Sequence, residues 1–152
     1  MSKITDAYNA TIVRLETLFP SASGWVRLPN PYKPEENPDL YLKQGWGFVF
    51  GPASNTQRTV CQITVERSVT IVLARKVDSL ENDAVSKQAT ELQLLEDQFL
   101  LIQDLEQDST INGTTMYTRW VEDGGLEYIR SETDKFLMVR TTVAIEYIEN
   151  YT

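Results

Sequence analysis

The sequence predicts an α+β domain with two helices packed on one face of an antiparallel-rich sheet. Three observations carry that expectation. Apolar residues recur at three- and four-residue intervals in two stretches, near 4–19 and 83–105. They alternate with polar residues in two others, near 59–77 and 136–148. The 152 residues contain no internal repeat, low-complexity tract or domain linker, so 1–152 reads as a single domain.

The first helix follows from Ile4, Ala7, Tyr8, Thr11, Ile12, Leu15, Leu18 and Phe19, and Pro20 stops it. From Trp25 to Asp39 the chain reads as an extended loop, stiffened over 29–38 by Pro29, Pro31, Pro34 and Pro38. A short strand follows in GWGFVFG, with Trp46, Phe48 and Phe50 on one face and Gly51-Pro52 as its end. Residues 59–77 give the strongest strand signal, either one long strand or two joined near Glu66 to Ser68. Cys61 falls on its apolar face, as a small core residue.

The second helix starts at Asn82 or Asp83 as N-cap. Val85, Ala89, Leu92, Leu95, Phe99 and Ile102 share a broad face, and Leu94, Leu101 and Leu105 form a second stripe nearly opposite. Glu96 and Gln103 interrupt the broad face, which suggests a break near Asp97. After it, Met116 to Val121 and Leu126 to Arg130 read as strands of a hairpin turning at Asp123-Gly124-Gly125, and Phe136 to Ile148 as the closing strand.

Composition narrows the chemistry. There is no histidine and one cysteine, so no Ser-His or Cys-His pair, imidazole ligand, intramolecular disulfide or thiolate cluster is available. The net charge is −8, against a protein that grips nucleic acid through its phosphates. Residues 78–108 hold nine acids and only Lys87 as a base, whereas the remainder has 13 of each, so the whole excess sits on the second helix and its flanks. Such a run is either a solvated face or a surface that faces something without holding it, such as DNA moving through a pore. Glu91, Glu96, Asp97 and Asp104 are the candidates for that acidic, DNA-repelling surface.

No catalytic or metal site is expected, and no cofactor. The doublets Glu35-Glu36, Glu96-Asp97 and Glu122-Asp123 are adjacent in sequence, so their side chains diverge on a helix or strand. GWGFVFG lacks the Lys-Ser/Thr of a phosphate loop. Tyr32, between Pro31 and Lys33, is the candidate exposed aromatic contact. The stripe Leu94, Leu101, Leu105 meets either the first helix or a neighbouring copy. No signal peptide or run of about 18 apolar residues is present, so no membrane partner is expected.

The ordered elements resemble a known family. An amphipathic N-terminal helix is followed by a strand, the long alternating CQITVERSVTIVLARKV and the acidic NDAVSKQATELQLLEDQFLLIQDL. YTRWVEDGGLEYIR comes next, and MVRTTVAIEYIENYT closes the chain with the acid-Tyr pair Glu146-Tyr147. This order is similar to that of the lambda-like tail terminator proteins of long-tailed bacteriophages, from which the Pro-rich loop departs. The resemblance implies a non-enzymatic virion protein of the tail or neck region, assembled in the host cytoplasm. It would form a six-membered homo-oligomeric ring on the tail tube protein, stop tube polymerisation and present a surface to the head-tail connector or stopper, while DNA passes through without specific binding. The alternatives are a neck adaptor or stopper, marked by portal contact, and a small non-viral adaptor or ligand-binding domain, marked by a stable monomer with an apolar cavity.

Overall fold

The computed structural model describes residues 2–31, 33, 44–77, 83–115, 117–130 and 135–150. Helix α1 spans Lys3–Leu18, and the Ser2 hydroxyl caps it by accepting the Thr5 N–H at 3.4 Å. Strand β1, Trp25–Arg27, lies parallel to β2, Gln44–Arg58. Then come β3, Gln62–Val77, helix α2, Asp83–Gln107, β4, Tyr117–Arg130, and β5, Lys135–Asn150. The strands form one sheet in the order β1-β2-β3-β5-β4, antiparallel except for β1 with β2. The fold is α+β, with both helices packed into the same core on one face of the sheet.

Strand periodicity decides which residues meet the helices. Trp46 pairs with Leu73, Leu73 with Val139, and Val139 with Leu126, so these side chains project to one face. There they join Ala7 and Leu15 of α1, Phe19 just after it, and Leu94 and Leu101 of α2 in the main core. The other face carries a small cluster of Val72, Ala74, Phe136 and Met138 under Leu28. Gly47 makes that cover possible: a Cβ there would lie 3.0 Å from the Cβ of Pro31 and 3.2 Å from that of Leu28.

Several expectations are corrected. Trp25–Arg27 is a strand and not loop. Gly51 and Pro52 do not end β2, because a register shift between Phe50 and Ala53 absorbs them. The Gly51 carbonyl accepts from Arg67 Nη1 at 2.9 Å. Residues 62–77 form one strand, and Cys61 is exposed in the turn before it. Helix α2 is unbroken at Asp97. Asp123-Gly124-Gly125 is no hairpin turn: β4 runs through it against β5, with register shifts between Trp120 and Leu126. Gly125, at φ 77°, supplies the left-handed residue of that bulge, and the Asp123 carboxylate accepts its N–H at 2.7 Å. Asn82 and most of the Pro-rich loop lie outside the described residues.

The rotation of α2 about its axis is fixed by polar contacts. Arg75, on the helix-bearing face of β3, donates from Nε to Asp97 Oδ2 at 2.6 Å and from Nη2 to Oδ1 at 3.0 Å. Its guanidinium also lies 4.9 Å from the Trp25 ring centroid. Beside this pair, Gln98 Nε2 donates to the Thr141 hydroxyl at 2.9 Å, both groups buried. A guanidinium held against the sheet in this way needs a carboxylate partner. Asp97→Asn leaves Arg75 without its counter-charge, and a loss of about 3 kcal/mol in chemical denaturation is expected. Arg75→Met with Asp97→Leu removes both charges and loses less than that single change; equal losses would show that the ion pair does not hold the helix.

Candidate interaction surface

Helix α2 buries its narrow apolar stripe and exposes its broad one. Leu94 is 0% exposed and Leu101 1%, and Leu105 packs against the same core, whereas Leu92 is 63% exposed and Phe99 58%. Val85, Leu95 and Leu100 are exposed with them. The candidate interface Leu94, Leu101, Leu105 is therefore corrected: these residues meet α1 and the sheet within one chain. The physical reason is the company they keep, because Asp97 and Gln98 share their side of the helix and hold it against Arg75 and Thr141.

The exposed stripe faces away from α1. At about 100° per residue, Asp97 and Asp104 lie to one side of Leu94, and they point to β3 and to α1. Gln98 lies to the other side and points to β5. Continuing round in that direction come Ile102, Leu95, Phe99 and Leu92, which therefore face outward on the β4 flank. Strand β4 adds to this flank. Lys87 Nζ sits 5.2 Å from the Tyr128 ring centroid, near the start of the helix. Trp120 pairs with Val143, which lines a small space with Leu101 and Leu105 near its end. Both aromatics are exposed. β4 is a sheet edge, so its outer side has no strand partner among the described residues.

The acidic surface is also corrected in part. Asp97 is buried on Arg75, and Asp104 is paired by Arg14 of α1, whose Nε donates to Oδ2 at 3.1 Å and whose Nη2 meets Oδ1. Glu91 is half-buried, 4.0 Å from Lys87, which leaves Glu96 as the exposed member of the four. Tyr32 lies outside the described residues. Of the carboxylate doublets, Glu96 is exposed while Asp97 is buried, and Glu122 and Asp123 pair with successive residues of β5. Among the described residues no group of three or more His, Cys, Asp or Glu is placed to hold a metal. No described helix is long and apolar enough to cross a membrane.

Between α1, α2 and the sheet lies a mostly apolar space of about 20 Å³, lined by Leu15, Leu18, Leu101, Leu105, Ile111 and Val143 among others. It has room for a single water at most, against several hundred Å³ for an ordinary ligand pocket. Ile111 closes it from the loop after α2. Its backbone is left-handed at φ 47°, strained for a β-branched residue, yet the side chain is buried in the core. Asp108 organises that loop by accepting from the Thr110 hydroxyl at 2.7 Å and the Asn112 N–H at 3.1 Å. No family model matches the chain, and no curated protein sequence matches it either.

The same cluster sets an acid dependence. The hydrogen bond to Asp104 is the main cause that raises the Arg14 pKa, with the charges of Asp104 and Asp108 adding to it against partial desolvation. The Thr110 hydroxyl bond, then the Asn112 N–H, hold the Asp108 carboxyl below its ordinary value of 3.8. A lowered carboxyl pKa stabilises the fold above the unfolded-state value and stops doing so as pH falls through the folded one. Asp108→Asn is expected to be less stable at about pH 7, by a margin that narrows at about pH 3 as the pH falls below the ordinary carboxyl value. Urea midpoints at the two pH values check this, and a constant difference would refute it.

Proposed function

We propose that this chain is a self-assembling structural subunit, and specifically a tail-terminator-type protein. On this reading six copies form a ring on the head-proximal end of a phage tail tube, stop its growth and offer a joining surface to the connector. The observation that carries the reading is the outward apolar stripe of α2. At roughly 150–250 Å² per aromatic side chain and somewhat less per leucine, the exposed parts of Val85, Leu92, Leu95 and Phe99 amount to about 400 Å². That is within the roughly 300–600 Å² of the largest patch on a monomer, which is often functional.

Three further features support it. The succession of an N-terminal helix, a long strand, an acidic helix and a closing strand, on which the family resemblance rests, is present, although three strands precede the second helix and two follow it. The two outer margins of the sheet differ, β4 on one side and the far half of β2 on the other, and unlike margins favour the head-to-tail contacts from which rings close. The space between the helices and the sheet is too tight to hold a ligand there. DNA passing through such a ring would meet a chain of net charge −8, which disfavours sticking to phosphates.

Native mass spectrometry of the purified protein is expected to give a six-membered species, and electron microscopy to place it on the ends of tail tubes. Leu95→Asp with Phe99→Asp puts charges on residues that are already exposed. The fold is therefore expected to keep its melting temperature within about 4 °C while the ring is lost and tubes grow past their normal length. A wild-type protein that stays monomeric and never binds tubes would overturn the proposal.

A further inference from the structure

Helix α2 and β4 leave a flank that wants a partner, and the opposite margin of the same sheet has the complementary character. Strand β1 covers β2 only at Gln44–Trp46, and from Ser54 onward β2 is exposed. β2 and β3 thus form a hairpin arm that β5 covers along its β3 side as far as Asn150, that is open along β2, and whose turn carries Val60, 99% exposed, and the exposed Cys61. Between residues 44 and 65 the sequence has no acid, and Arg58 makes no ion pair among the described residues. The α2 flank carries the opposite charge: Glu96 and Glu106 are exposed beside Leu92, Leu95 and Phe99, without a salt-bridge partner among the described residues.

Resting on the self-assembly proposed above, we infer that the occupant of the α2/β4 flank is the β2–β3 hairpin arm of a second copy of this chain. Val60 docks among the exposed apolar side chains of α2, and Arg58 meets Glu96 or Glu106. Two quantities support a second copy. With Trp120 and Tyr128 added, the apolar side chains of this flank expose about 600 Å², most of the roughly 800 Å² that each partner buries in a specific interface. The charges are complementary in sign, which sets orientation and encounter rate. The contact joins opposite margins of one sheet, so each copy that receives an arm also extends one, and the contact repeats around a closed ring.

The lone cysteine at the arm's tip gives a direct test. Gln88→Cys and Gln103→Cys, each made together with Cys61→Ser, place a thiol toward either end of the exposed face of α2. Each is mixed with wild-type chains and treated with a short bismaleimide. At least one mixture is expected to give a covalent pair of one wild-type and one variant chain, joined from Cys61 to the new cysteine. Arg58→Glu is expected to weaken association about tenfold at low salt, and Glu96→Arg in the same chain to restore it. Rings without that cross-link in either mixture, and insensitive to Arg58→Glu, would mean that another surface covers the flank; the inference would fall and the ring would stand. A wild-type chain that stays monomeric at every concentration would remove both.

Discussion

The ion pair between Arg75 and Asp97 is the constraint on which the rest of the structure depends. Arg75 sits on the helix-bearing face of β3, flanked by Gln44 of β2 and Leu137 of β5, where an unpaired guanidinium is costly. Only one rotation of α2 brings Asp97 onto it in bidentate geometry, and the same rotation delivers Gln98 to Thr141 and Leu94 and Leu101 to the core. Turning the helix to bury Leu92, Leu95 and Phe99 instead would gain apolar area within one chain. It would also strand Arg75 and Thr141 and bring Leu94 and Leu101 out into water. The outward stripe is thus a consequence of the buried polar contacts.

A second ion pair extends this logic to α1. Arg14 reaches Asp104 of α2 and lies 3.5 Å from Asp108, tying the two helices above the tight apolar space that Ile111 seals. Charges that sequence position alone would assign to a free acidic surface are therefore spent internally. The net charge of the chain is unchanged, yet the acid left on the flank is chiefly Glu96 and Glu106, placed at the border of an apolar patch. Acids in that position select the sign of a partner more than they repel a polyanion.

Much of the fold was legible because its signals are local. Alternation in 59–77 and in 136–148 identified β3 and β5, the central pair of the sheet, and the three- and four-residue spacing identified both helices. Glycine-rich punctuation misled where a long partner strand overrode it: β5 pairs along β4 on both sides of Asp123-Gly124-Gly125, so a hairpin signal became a bulge. Gly51-Pro52 was absorbed in the same way against β3. The interaction surface was legible only in its ingredients. Two apolar stripes on α2 are visible in the sequence, but periodicity leaves open whether Leu94, Leu101 and Leu105 meet the first helix or a neighbouring copy. Which stripe wins depends on Arg75, 22 residues before Asp97, and no periodicity reveals a contact between a strand and a helix at that separation.

On the proposed assembly, the stripe held outward by Arg75 and Asp97 is covered when copies come together. Hydroxyl-radical footprinting of the wild-type protein over a dilution series, read at Phe99 and Trp120 with the buried Phe136 as internal reference, tests it most directly. Protection of Phe99 and Trp120 in the assembled protein, lost on dilution while Phe136 stays protected throughout, is the predicted result. Equal reactivity of Phe99 in assembled and dilute samples would contradict the claim, and so would a Phe99 that is protected in the isolated monomer.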